Sequence, residues 1–178
     1  NDGTSFIDIT DPANPVLIGD LPKPWGTPPS QLWRDIKTYQ NYAFIVADGA
    51  GDHGMQVFDL TRLRDVTSPP ELFEPDFHYT DIASSHNIII NEETGYAYTV
   101  DRQTCGGGLY MMNIQDPLNP TFEGCSKLGE RGTHDSQCVT YQGPDLRYSG
   151  RELCLNSNGA IFEIADVTDK KNPVVVST

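Results

Sequence analysis

The stretch MMNIQDPLNP at residues 111–120 is an apolar strand that ends at Asn113 and continues into a turn with two prolines. Similar stretches occur at residues 5–15 (SFIDITDPANP), 56–61 (QVFDLT) and 164–173 (IADVTDKKNP). The polar residues that end these strands are 51, 54 and 53 residues apart; they are Asp8, Asp59, Asn113 and Asp166. A period in this range indicates an array of one supersecondary unit that cannot bury its own apolar face.

Each full unit around these stretches has the pattern of four short strands. Runs rich in Ile, Val, Tyr, Phe and Thr alternate with turn residues, which is typical of β-structure. In the second unit the runs are 33–39, 42–47, 54–60 and 70–74. Four antiparallel strands per repeat at this period are typical of a propeller blade. We therefore predict an all-β protein, a β-propeller of four-stranded antiparallel blades, with a β-solenoid and a β-sandwich as alternatives.

The chain contains about three and a half such units. The predicted blades are a half blade at 1–24 and full blades at 30–80, 81–130 and 131–178. Closed propellers typically have four to eight blades, and residue 1 is not Met and falls inside a predicted blade. We therefore expect a fragment of a larger propeller, in which the missing blades or a second chain complete the ring.

The composition limits the classes of partner. The formal net charge is −13, from 25 acidic and 12 basic residues, which argues against nucleic acid because a nucleic-acid-binding protein needs a basic surface. No apolar run approaches the roughly 18 residues of a membrane span. An acidic surface suits a secreted protein or a cation-binding protein, and simple solubility is the alternative explanation.

The four cysteines fall into two neighbouring pairs. Cys138 and Cys154 lie in adjacent predicted strands of the last unit, while Cys105 and Cys125 flank the last two strands of the unit before it. Pairing within each blade predicts the disulfides Cys105–Cys125 and Cys138–Cys154, although four cysteines allow three connectivities. Disulfides indicate an oxidising compartment, so the expected location is extracellular, periplasmic or on the cell surface.

Polar residues cluster at the start of the first strand of each full unit. In a propeller this strand lines the central channel, so equivalent positions converge near one axis. His86, His134, Asp35 and Asp135 are therefore candidate metal ligands. Imidazole with carboxylate suits zinc, iron, manganese or copper, whereas oxygen ligands alone would suit calcium. Structural hydrogen bonding is the alternative, and no organic cofactor is predicted.

Two further features are candidates for binding. The loop DGAGDHG at residues 48–54 contains Asp48, Asp52 and His53, which are secondary candidates for a cation site. A plain flexible hairpin is the alternative, because glycines at such positions also permit a tight turn. Trp25 and Trp33 are candidates for stacking on sugars, with packing between strands as the alternative.

Several segments together resemble the choice-of-anchor B proteins, which are bacterial proteins with LVIVD-type propeller repeats. The segments are 3–12 (GTSFIDITDP), 33–37 (WRDIK), 53–60 (HGMQVFDL) and 133–138 (THDSQC). The resemblance extends over essentially the whole chain. It implies a secreted or surface-attached β-propeller that continues on both sides of this segment, with another His-bearing strand start and an anchor downstream. It implies fold and location more than mechanism.

The function expected from these features is a secreted or cell-surface binding module with a metal ion in its central channel. A metal-dependent extracellular hydrolase or oxidoreductase that uses the same site is one alternative. A surface protein-interaction scaffold without chemistry is another. The expected ligand, apart from the metal, is a surface protein or a glycan.

Overall fold

The computed structural model describes residues 3–27, 33–101, 104–126 and 132–178. Within these ranges the regular structure consists of fifteen strands and one short 3₁₀ helix, Leu60–Asp65. The strands are β1 (Gly3–Asp8), β2 (Val16–Pro22), β3 (Trp33–Tyr39), β4 (Tyr42–Asp48), β5 (Met55–Asp59), β6 (Glu71–Leu72), β7 (Phe77–Tyr79), β8 (Ser85–Asn91), β9 (Tyr96–Asp101), β10 (Leu109–Asn113), β11 (Thr121–Ser126), β12 (Asp135–Thr140), β13 (Glu152–Asn158), β14 (Ile161–Asp166) and β15 (Val174–Ser177). The predicted blade boundaries at residues 1, 30, 130 and 131 lie outside the described residues.

The strands form four sheets. Their strand orders are β1-β2-β6, β3-β4-β5-β7, β11-β10-β9-β8 and β12-β13-β14-β15, which we call sheets one to four. Sheets two to four are antiparallel throughout. In sheet one, β2 pairs antiparallel with β1 and parallel with β6. The predicted all-β class and four-stranded antiparallel units are therefore confirmed for sheets two to four.

One strand of the second unit was predicted in the wrong place. The run at 70–74 was expected to be the fourth strand of sheet two, but β6 pairs with β2 of sheet one, and β7 is the outer strand of sheet two. The amide of Phe73 donates to the carbonyl of Asp20 (2.8 Å), and its ring packs on Phe6 and Phe58. Burial of Phe73 between two sheets decides this pairing, and that contact is not visible in the local sequence pattern.

Apolar clusters join each sheet to the next. Phe6 of sheet one stacks on Phe58 of sheet two, with 4.7 Å between ring centres. The hydroxyls of Tyr79 in sheet two and Tyr110 in sheet three lie 2.7 Å apart inside the second cluster. A third cluster joins sheet three to sheet four around buried Cys154. Burial of apolar side chains between successive sheets is therefore the main force that holds the array together.

The turns at residues 11–15, 116–120 and 169–173 are each closed by hydrogen bonds to the carboxylate of their first Asp. In the first turn, the backbone amide of Ala13 (3.1 Å) and the side-chain amide of Asn14 (2.8 Å) donate to the carboxylate of Asp11. The same arrangement recurs at Asp169 and Asn172. These hydrogen bonds, first among them the one from the asparagine side chain, hold the pKa of both Asp carboxyl groups below its usual value.

Candidate functional site

The first strands of sheets two, three and four lie side by side. Strand β8 contacts both β3 and β12, so the starts of these strands come together although they are about fifty residues apart in sequence. The ring centres of His86 and His134 are 4.6 Å apart, and those of Trp33 and His86 are 6.1 Å apart. The two histidines that the repeat pattern singled out are therefore neighbours.

The ring of His86 has a defined orientation. Its Nδ1 lies 2.8 Å from Oδ2 of Asp48, and the other carboxylate oxygen of Asp48 accepts from the amide of Gly49 (2.7 Å). A carboxylate can only accept, so Nδ1 of His86 carries the proton. In the neutral ring the Nε2 lone pair is then available to a ligand. A carboxylate on the second nitrogen of a histidine is the usual support of a metal-bound imidazole.

Hydrogen bonds between strands hold the start of β12 beside β8. The side-chain amide of Asn87 donates to the carbonyl of His134 (3.0 Å), and the amide of His134 donates to the carbonyl of Ser157 (2.8 Å). The main chain of His134 is thereby fixed on both sides, while its side chain remains exposed. These hydrogen bonds fix the main chain of His134 beside His86.

Two carboxylates predicted as ligands have other partners. Asp35 accepts from the amides of Ile36 (2.9 Å) and Ile88 (3.0 Å) and from Nζ of Lys37 (2.6 Å). It therefore ties β3 to β8. Asp135 is exposed and accepts from the amide of Ser136 (2.8 Å). That either one binds a metal stays a prediction.

The described residues contain no group of three or more His, Cys, Asp or Glu side chains that could hold a metal ion. What the structure shows is two neighbouring imidazoles, His86 and His134, with Asp48 bonded to His86. A metal held there would need its other ligands from water or from a bound molecule.

The secondary candidates Asp48, Asp52 and His53 do not form one cluster of cation ligands. His53 is fully buried, its Nδ1 donates to the carbonyl of Gly54 (3.0 Å), and its Nε2 accepts from Nη1 of Arg34 (2.8 Å). Both ring nitrogens are therefore engaged in this arrangement. Asp52 is exposed, and Asp48 accepts a hydrogen bond from His86.

Burial of His53 makes stability depend on pH. Burial, together with the positive charge of Arg34, lowers the pKa of His53 from 6.5 to about 4. Between these values the unfolded chain binds a proton that the folded chain does not, so the free energy of unfolding decreases as the pH falls from 6.5 towards 4. We expect the shifted pKa of His53 to make the free energy of unfolding roughly 2–3 kcal/mol lower at pH 4.5 than at pH 7.

Urea unfolding at both pH values, in the wild type and in a His53→Gln variant, measures this contribution. Glutamine can accept from Arg34 but does not titrate. On acidification from pH 7 to pH 4.5 the variant should therefore lose roughly 2–3 kcal/mol less stability than the wild type. Equal pH dependence of the two proteins would contradict the assignment.

The two predicted disulfides are confirmed. Cys105 pairs with Cys125, and Cys138 pairs with Cys154. Cys138 and Cys154 face each other on the paired strands β12 and β13. The other bond joins the segment before β10 to β11, so each disulfide lies within one sheet unit.

A buried ionic network between sheets three and four was missed from the sequence. Nζ of Lys170 lies 2.8 Å from Oε2 of Glu152, and both side chains are more than nine-tenths buried. Oε1 of Glu152 accepts from Nδ2 of Asn91 (2.7 Å) and from Oγ1 of Thr94 (2.9 Å). Lys170 lies within the turn from Asp169 to Asn172 and resembles any exposed lysine in sequence, so no local signal could have indicated its burial.

No protein-family model matches this sequence, and no curated protein shows significant similarity to it. Among the described residues, no helix has the length and apolar character that crossing a membrane requires.

Proposed function

We propose that this chain is part of an extracellular or cell-surface β-propeller binding module that holds a divalent metal ion between His86 and His134. The observation that carries the proposal is the pair of imidazoles, 4.6 Å apart between ring centres, with Asp48 on Nδ1 of His86. Each residue comes from a different sheet or loop, so the arrangement depends on the tertiary fold.

The propeller arrangement is supported by the order of the sheets. Consecutive units form consecutive sheets, each packs on the next, and the first strands of three of them are adjacent. In a propeller, successive four-stranded sheets pack on one another with their first strands innermost, which agrees with this arrangement. The outer faces of sheets one and four leave Ile7 (55%) and Phe162 (56%) exposed. These exposed faces support the prediction, made from the number of units, that further blades or a second chain complete the ring.

The choice of metal follows from the donor set. Two imidazole nitrogens suit zinc, iron, manganese or copper better than calcium, which prefers oxygen ligands. Asp48 would fix the His86 tautomer and make its Nε2 a stronger donor. When bound, such an ion supplies a Lewis acid with open coordination positions. The two disulfides support an oxidising location, and the net charge of −13 favours attraction of cations.

The test is metal content and metal titration of the purified protein. We expect elemental analysis to give near-stoichiometric transition metal that exhaustive EDTA dialysis removes, and zinc titration to restore it. The variant with both His86→Ala and His134→Ala should bind no stoichiometric metal while its circular dichroism stays unchanged. Asp48→Asn should weaken binding by roughly 10–100-fold, because it removes the carboxylate that supports the ring.

His78→Gln is the matched control, since it removes a histidine that is bonded to the carbonyl of His53 (2.7 Å) and is not part of the pair. Its metal content should equal that of the wild type. Retention of metal in the double variant, or absence of any metal after zinc titration of the wild type, would reject the proposal.

A metal-dependent hydrolase or oxidoreductase remains the second candidate function. A cavity of about 290 Å³ borders His134 and is lined by Gly106, Gly107, Gly132 and Thr133, which provides room for a small molecule beside that imidazole. The same metal titration tests its first requirement, because such an enzyme acts only with the ion bound. The scaffold function without chemistry is the outcome if no metal binds.

A further inference from the structure

Trp25 is fully solvent-exposed on a hydrogen-bonded turn. Its relative exposure is 103%. Packing between strands, which was the alternative role for this residue, is therefore not its role. The turn is closed by hydrogen bonds from the amide and hydroxyl of Thr27 to the carbonyl of Pro24 (3.4 and 2.9 Å). Gly26 has φ of +83° at the third position of the turn, as a type II turn requires. The indole is thus presented to solvent by local geometry.

A cavity of about 470 Å³ lies directly beside this turn, within the size range of small-molecule sites. Three prolines, Pro22, Pro24 and Pro75, line it, and Trp25 borders it at the turn. Pro22 at the end of β2 is anchored to β5, because Nε2 of Gln56 donates to its carbonyl (2.9 Å). The walls therefore come from two sheets and are fixed relative to each other.

The polar part of the lining offers both donors and acceptors. His78 donates from Nε2 to the carbonyl of His53 (2.7 Å), so Nδ1 of its neutral ring is an acceptor. Lys23 supplies an ammonium group and Glu74 a carboxylate. A ligand with hydroxyl groups can donate to the carboxylate and imidazole and accept from the ammonium.

We propose that this cavity is a carbohydrate-binding site for a neutral pyranose of an extracellular glycan. The indole of Trp25 is the platform on which the apolar face of the sugar ring stacks, and Lys23, Glu74 and His78 bind its hydroxyls. Exposed aromatic rings beside a polar group suit ligands that have one apolar and one polar side. The net charge of −13 disfavours an anionic glycan, which selects the neutral class.

A proline-rich peptide is the competing ligand for an exposed tryptophan. Such peptides dock in grooves lined by several aromatic residues, whereas this cavity has Trp25 as its single Trp, Tyr or Phe among the described lining residues. Its other walls are prolines, which have no backbone N–H to offer a peptide carbonyl. The mixed charge of Lys23 and Glu74 suits hydroxyls better than a polyproline helix.

The test is isothermal titration of the whole chain with cellohexaose, chitohexaose, xylohexaose, mannohexaose and a decaproline peptide. We expect at least one oligosaccharide to bind, and Trp25→Ala to weaken its affinity roughly tenfold or more. Trp25→Phe, which keeps a smaller ring, should retain part of the affinity. Leu146→Ala is the matched control, because it also removes an exposed apolar side chain (85%), but from a loop of sheet four.

The outcomes separate this site from the metal site. Binding that survives EDTA and is lost in Trp25→Ala supports the proposal, whatever the result of the metal titration. Circular dichroism should show that Trp25→Ala folds, since the side chain is solvent-exposed. Equal affinity in Trp25→Ala and wild type, no binding of any oligosaccharide, or binding of decaproline alone would each overturn it.

Discussion

Removing both disulfides is expected to lower the free energy of unfolding by about 6 kcal/mol, about 3 kcal/mol for each bond. The bonds close loops with sequence separations of 20 and 16 residues. These loops do not overlap in the chain, so each bond restricts a different part of the unfolded ensemble, and the two contributions should add. The sum is comparable with the whole stability of a typical domain, about 5–15 kcal/mol.

Replacement of the cysteines is a cleaner experiment than reduction. Cys105, Cys138 and Cys154 are almost fully buried, so a reductant would reach them only after local opening. The variants Cys105→Ala/Cys125→Ala and Cys138→Ala/Cys154→Ala should each lose about 3 kcal/mol in urea unfolding. A loss below about 1 kcal/mol in either pair would contradict the loop-entropy argument for that bond.

Lys170→Ala is expected to lower the free energy of unfolding by about 3–5 kcal/mol, because it leaves Glu152 as a buried carboxylate without its cation. Nζ of Lys170 lies 2.8 Å from Glu152 and 3.9 Å from the ring centre of Tyr96, so both an ion pair and a cation–π contact are lost. The hydrogen bonds from Asn91 and Thr94 to Glu152 do not replace a full positive charge.

The neighbouring Lys171 provides the matched control, since it is exposed and Lys171→Ala should change stability by less than about 0.5 kcal/mol. The double variant Lys170→Met/Glu152→Gln should recover much of the loss, because a neutral pair of similar volume leaves no buried charge. Urea unfolding of the four proteins measures both effects. A loss below about 1 kcal/mol for Lys170→Ala would show that the pair is not buried in solution.

The repeat and the positions of the cysteines were enough to predict the four-stranded antiparallel units and both disulfides. Each depends on local information, namely alternation of apolar residues, turn chemistry and the spacing of cysteines. The prediction was wrong for residues 70–74, where β6 joins sheet one. Local pattern indicates that a segment is extended but not which edge it pairs with, because pairing depends on contacts such as that of Phe73 with Phe6 and Phe58.

The candidate site was predicted in part. The repeat placed His86 and His134 at equivalent strand starts, and the structure brings their rings together. The supporting role of Asp48, which had been a secondary candidate as a ligand, follows from the end of β4 lying beside β8. The contacts of Asp35 with the amide of Ile88 and with Lys37 were likewise not accessible from spacing.

The sequence by itself determined the strand-forming repeat and the Asp-Pro turns, and it predicted the cysteine pairs, because these depend on residues close together in the chain or at one regular period. Only the tertiary structure decided that Lys170 is buried against Glu152, that His53 accepts from Arg34, and that Trp25 is exposed beside a cavity. Burial and pairing of a side chain are set by which sheet packs on which, and that depends on contacts between residues far apart in sequence.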